Sequence, residues 1–231
     1  MNIYAISDLH FGEATGKGMD LFGEKWVKHK EKIINNWETM VSDDDIVLMS
    51  GDTSWATSLE DAKADLNTIS NLPGRKIISR GNHDYWWKSL YTLNNLYENI
   101  VFIQNENICE IDNITICATK GYTSPNDYKF SNADEKIYKR ELARLKLALS
   151  SASKKNSEYI ILLLHYPPTN DKLEQSEFIQ LINKYNVKKV IYGHLHGKNY
   201  YKDGLQGVYN GVEYILASSD YLDFKPKRIK I

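Results

Sequence analysis

Five short polar blocks in this 231-residue chain carry side chains able to hold metal ions: Asp8-Leu9-His10, Gly51-Asp52, Gly81-Asn82-His83-Asp84, His165 and Gly193-His194-Leu195-His196. Each follows directly on a short apolar run, and five of the six histidines fall within these blocks. An isolated Asp-X-His or Gly-Asp says little, because such pairs arise by chance in many chains; the ordered set is far more specific. Imidazole mixed with carboxylate suits Mn, Fe or Zn, being too rich in nitrogen for Mg or Ca and free of soft thiolates. If Asp8 and a bridging Asp52 are the only charged ligands, two divalent ions leave the site at about +2. That surplus attracts a phosphate dianion. Paired ions roughly 3.5–4 Å apart can generate a hydroxide and grip phosphoryl oxygens during in-line attack, while a nearby acid protonates the leaving oxygen.

The blocks need elements to position them. Short apolar, often β-branched runs at 3–7, 45–50, 76–79, 158–164 and 188–192 predict strands. Helical spacing is expected over 24–40, over 59–72 before Pro73-Gly74, over 134–151 and over 175–185. Alternating strand and helix predicts parallel pairing with right-handed crossovers, hence an α/β fold. In an open sheet of that kind the carboxyl ends share one edge, so all five blocks are expected along one crevice. Residues two apart, Asp8/His10 and His194/His196, can point to one side of an extended backbone. His29 sits in the first helix among Lys25, Lys28 and Lys30 and is assigned to a solvated face.

Short strands and turns at 99–118 and 200–217, including Asp203-Gly204 and Asn210-Gly211, predict a second sheet. Cys109 and Cys117 flank a turn at Asp112-Asn113; the register puts them on opposite faces, as reduced, buried packing residues. Residues 121–133 show no periodicity and read as a loop, either a functional lid at the active site or a plain surface connection.

Composition bounds the rest. A chain of this length can bury one substantial core, so a single domain over 1–231 is expected. The net charge of -1 supplies no global field, which argues against nucleic acid or an anionic membrane as partner. The opening residues lack the basic start and apolar core of a secretory signal, giving a cytoplasmic expectation. No apolar run approaches the roughly 20 residues of a membrane-spanning helix, and no obligate protein partner is evident.

The ordered blocks, spanning residues 8–196 with none missing, closely resemble those of the calcineurin-like metallophosphoesterases. The resemblance implies a four-layer α-β-β-α sandwich of two mixed sheets. It implies that Asp8, His10, Asp52 and His196 hold one ion and Asp52, Asn82, His165 and His194 the other, with Asp52 as bridge. It also implies that His83 acts as general acid or orients phosphate. Arg80 matches a phosphate-contacting arginine of the protein phosphatase branch; a salt bridge is the competing reading. Asp84 either polarises His83 or caps a helix beginning near Tyr85. The second block continues Thr53-Ser54-Trp55-Ala56, without that branch's further aspartate and arginine, which argues against a protein phosphatase. Trp55 and Tyr85-Trp86-Trp87 either stack on a substrate ring or pack the core, with packing favoured for most. The expected function is hydrolysis of a monoester or diester of a small phosphorylated compound. A nucleic-acid phosphodiesterase and a non-catalytic scaffold of the same fold are the alternatives.

Overall fold

The computed structural model describes residues 1–126, 130–155 and 157–231. The chain gathers into two compact units, Met1–Phe102 with Ala217–Ile231, and Ile103–Leu216.

The first unit contains strands β1 (Ile3–Ala5), β2 (Ile46–Met49), β3 (Arg75–Ile78), β4 (Ile100–Phe102) and the final strand β11 (Lys227–Ile229), in the order β11-β1-β2-β3-β4. β1 to β4 run parallel and β11 closes one edge antiparallel. Helices α1 (His29–Met40), α2 (Leu59–Asn71) and α3 (Leu90–Leu93) make the connections, as the alternating pattern requires. α2 opens on Ser58, whose Oγ accepts from the Asp61 amide at 3.2 Å, and Leu72, in extended backbone, ends it.

The helix expected over 24–40 is broken. Glu24–Trp26 forms a 3-10 turn, Lys28 adopts a left-handed φ of 55°, and α1 begins only at His29. His29 is also corrected: it is 8% exposed and belongs to the buried stripe His29, Ile33, Trp37 at i, i+4, i+8. The three neighbouring lysines had suggested solvent, but the helical period decides which face a residue joins.

β3 carries a fully buried lysine. The Lys76 ammonium donates to the carbonyls of Ser70, at 3.1 Å, and Leu72, at the carboxyl end of α2, where a cation complements the helix dipole. Loss of hydration pushes its pKa down to about 8, against a smaller upward effect of Asp43. Between about pH 8 and 10 the unfolded chain therefore holds a proton that folded Lys76 has released, and unfolding takes one up. The desolvation cost applies in full below pH 8 and is relieved above it. Wild-type stability measured against Lys76→Met in urea is expected to improve by about 2 kcal/mol from pH 7 to pH 10; a flat difference would show that burial leaves the Lys76 ammonium at its ordinary pKa.

The second unit contains β5 (Cys109–Ile111), β6 (Ile114–Thr119), β7 (Tyr159–Leu164), β8 (Val187–Tyr192), β9 (Gly207–Tyr209) and β10 (Val212–Leu216), in the order β5-β6-β7-β8-β10-β9. β6, β7, β8 and β10 are parallel, with antiparallel hairpins at both edges. α4 (Asn132–Ser153) and α5 (Glu177–Ile182) connect β6 to β7 and β7 to β8. α4 starts with a capping box between Ser131 and Asp134. The Asp112-Asn113 and Asn210-Gly211 hairpins form as expected, and Cys109 pairs with Ile116. Both cysteines are free and buried. Asp203-Gly204, by contrast, ends a 3-10 turn (Tyr201–Asp203) rather than linking two strands. Within the expected loop 121–133, residues 127–129 lie outside the described residues, and 132–133 already belong to α4.

The α/β class with two mixed sheets stands. The single shared edge does not: the three strands preceding Asp8, Asp52 and Asn82 lie in one sheet, and those preceding His165 and His194 in the other. No helix among the described residues is long and apolar enough to cross a membrane.

Candidate metal centre

In the first unit the parallel ladder continues beyond the strands. Asp8 N donates to Gly51 O at 3.0 Å, His10 N to Asp52 O at 3.0 Å and Phe11 N to Thr53 O at 3.1 Å, so the segments leaving β1 and β2 run side by side. Ser219 Oγ donates to the Asp8 carbonyl at 2.8 Å. The backbone here is not extended, as the two-residue spacing had suggested. Asp8, His10 and Asp52 have φ of 57°, 48° and 52°, a left-handed region costly for residues with a Cβ. Left-handed turns, rather than strand alternation, bring the Asp8 and His10 donors within 4.8 Å of each other.

The third segment is pressed against the second. A Cβ on Gly51, at φ 103°, would lie 2.3 Å from Gly81 N, and one on Gly81 would lie 2.1 Å from Asp52 Oδ1. Two glycines are therefore needed for these loops to touch. Their approach lets His83 N donate to Asp52 Oδ1 at 2.8 Å. It also surrounds Asp84, whose Oδ2 accepts from Asp52 N (2.9 Å) and Gly81 N (2.8 Å), and whose Oδ1 accepts from Thr53 N (2.9 Å) and Trp86 Nε1 (3.0 Å). The helix-cap reading of Asp84 is thereby corrected: residues 85–86 form a turn, and the next helix, α3, is capped by Ser89. Asp84 instead ties the Gly51 and Gly81 loops together.

Asp8, His10 and Asp52 are 0%, 2% and 1% exposed. A carboxylate oxygen of Asp8 lies within 4.8 Å of one on Asp52, and His10 Nε2 is 3.8 Å from Asp52 Oδ2, beyond hydrogen-bonding range. Two buried carboxylates this close repel each other unless a cation lies nearby, and the third donor is an imidazole; this set fits a divalent transition-metal ion. Asn82, His83 and Arg80 are half-buried on the same segment. Arg80 Nε is buried and meets no hydrogen-bond partner among the described residues.

In the second unit His165 is fully buried and its amide bonds the Lys120 carbonyl at 3.0 Å. Gly193 N donates to His165 O at 3.1 Å, which aligns the exits of β7 and β8. His194, left-handed at φ 71°, turns its Nδ1 to 3.3 Å from His165 Nε2, with ring centroids 5.1 Å apart. His196 follows two residues later, half-buried. Tyr166 covers the His194 ring at 4.1 Å, and the Lys120 ammonium lies 5.5 Å from the Tyr166 ring centre.

Several supporting residues were not singled out from the sequence. Asp65 on α2 is buried and accepts from Ser54 Oγ (2.5 Å) and Glu13 N (3.1 Å), joining the segments after Asp52 and His10; loss of hydration pushes its carboxyl up. Its signal was a charge within the apolar stripe of α2, between Ala62, Leu66 and Ile69. Of the aromatic residues, Trp86 and Trp87 are core, as favoured, and Tyr85 is exposed. Trp55 is half-buried and stacks on His10 at 4.6 Å and 24°, with His83 a further 4.6 Å away.

The sequence profile of the calcineurin-like phosphoesterases matches residues 1–198, and the chain belongs to that family. Its class is accordingly that of a metal-dependent phosphoester hydrolase. Among curated proteins it is similar to the Gene 66 protein of Mycobacterium phage D29, 24% identical over 201 residues that cover 85% of this chain and 79% of the relative. Among solved structures it is similar to the phosphopantetheinyl hydrolase PptH of Mycobacterium tuberculosis (16% identity, TM-score 0.58, 99% and 95% of the two chains). It is also similar to the protein of unknown function AQ665 of Aquifex aeolicus (19% identity, TM-score 0.53, 98% and 95%). At these identities the structural likeness is one of fold.

Proposed function

We propose that the chain hydrolyses a monoester or diester of a small phosphorylated compound at a two-metal centre. Asp8, His10, Asp52 and His196 hold one ion, and Asp52, Asn82, His165 and His194 the other. The observation that carries this reading is the trio Asp8, His10 and Asp52, buried, closely spaced and each held in left-handed backbone. Residues are kept in so costly a conformation where the surroundings over-determine it, and such positions cluster at functional sites. Mn, Fe or Zn suits the donor set; when bound, two such ions supply Lewis-acid activation of water and neutralise phosphoryl charge.

The remaining roles belong to the protein. Asp52 offers Oδ2 on the side of His10 while Oδ1 holds the His83 amide, so one carboxylate joins a metal-facing and a substrate-facing function. His83, half-buried and beside Trp55, donates the proton to the leaving oxygen. Arg80, whose Nε meets no hydrogen-bond partner among the described residues, offers its guanidinium to the phosphate oxygens. The near-neutral chain favours a small substrate over nucleic acid.

A screen of Mn-supplemented protein against aryl monoesters, aryl diesters and cyclic nucleotides tests the proposal. Turnover of at least one class is expected, and none at all would defeat it. His83→Ala is expected to lower kcat about a hundredfold while the bound metal per chain stays unchanged; parallel loss of metal would remove His83 from the proton-transfer role.

A further inference from the structure

We propose that His29 is a positioning residue for His10, its ring N–H gripping the His10 carbonyl and holding that residue in a left-handed backbone it would otherwise leave. The inference rests on the reading of His10 as a metal ligand. His29 Nε2 lies 3.3 Å from His10 O; a carbonyl oxygen only accepts, so Nε2 carries the proton. On the other side of the same residue His10 N donates to Asp52 O at 3.0 Å. The strained φ of 48° is thus clamped at both peptide groups, from helix α1 on one side and the segment after β2 on the other.

The aromatic surroundings extend the clamp to the ring. The imidazole of His10 stacks on Trp55 at 4.6 Å and meets the edge of Trp26 at 6.2 Å, and Trp26 in turn stands edge-on to His29 at 5.4 Å. His29 occupies a position on the buried stripe of α1, with Ile33 one turn on, a place usually filled by an apolar side chain. What an apolar residue could not provide is the donor to His10 O. Hydrogen-bond partners that orient a metal-binding residue commonly matter about 10–100-fold in metal affinity.

Two substitutions separate the donor from the packing. His29→Phe keeps a ring in the apolar wall and removes the N–H; His29→Gln replaces the ring but brings an amide donor to a similar reach. Mn2+ binding is measured by competition with a fluorescent chelator, with thermal denaturation as the check on folding. His29→Phe is expected to weaken one of the two ions about tenfold or more, and His29→Gln to stay within about threefold of wild type. Should the phenylalanine variant not fold, His29→Met serves as the donor-free form. Equal affinities in the donor-free variant and wild type, or equal weakening in both variants, would overturn the proposal. A metal-free crystal structure of the donor-free variant gives an independent reading: His10 is expected to leave the left-handed region, and its retention there would also overturn the inference. If wild type binds no Mn2+, the metal-centre reading fails, and the metal-free structure still decides the role of His29.

Discussion

Asp52→Asn is expected to abolish binding of both ions together and to lower kcat/KM by at least about three orders of magnitude. Its carboxylate is 1% exposed, faces His10 with Oδ2 and accepts the His83 amide with Oδ1. Asparagine preserves the shape but removes the negative charge, and it turns one acceptor into an NH2 donor. If that NH2 takes the Oδ1 position it opposes the His83 N–H, and if it takes the other it faces the metal-binding side. Either orientation damages a contact. His10→Ala, by comparison, removes a ligand proposed for one ion alone. Metal counting on the two purified variants, with the screen's best substrate for kinetics, checks the contrast; matching losses of both ions in the two variants would refute the bridging role of Asp52.

For Asp84→Ala the expected loss is in folding. Its carboxylate accepts from the amides of Asp52, Thr53 and Gly81 and from the Trp86 indole, all in a fully buried setting. Each buried donor left without a partner costs about 1–3 kcal/mol, so the four together cost more than about 4 kcal/mol. That is a large part of the roughly 5–15 kcal/mol that holds a typical domain folded. Asp84→Asn retains one acceptor oxygen and is expected to fall between alanine and wild type. Urea denaturation of the three proteins gives the order, and an alanine variant within about 1 kcal/mol of wild type would show that the loops are held by other means. Metal added before unfolding is expected to recover part of the loss, because an ion bound only to the folded state stabilises it by mass action.

These two aspartates were legible to different degrees. Asp52 follows an apolar β-branched run and a glycine, in series with four similar blocks, so its candidacy as a metal ligand could be read from local order. Asp84 sits in one of the five metal-capable blocks, yet its role depends on amides some 30 residues away, reached only because Gly51 and Gly81 allow two loops to touch. His29 shows a subtler case. The period that buries it with Ile33 and Trp37 was present in the sequence, but three adjacent lysines masked it.

The sequence by itself determined the five strands that precede the site blocks, their parallel sense, the donor types and their order, and so the class of chemistry. These follow from patterns a few residues long: apolar runs, helical periods and the affinity of imidazole and carboxylate for particular metals. Only the tertiary structure decided how the five site-bearing strands divide between two sheets, that Asp8, His10, Asp52 and His194 are left-handed, and that Asp84 and His29 serve the backbone of their neighbours. Those outcomes depend on contacts between segments far apart in the chain, whose hydrogen bonds exist only once both sides are in place, and no local period encodes them.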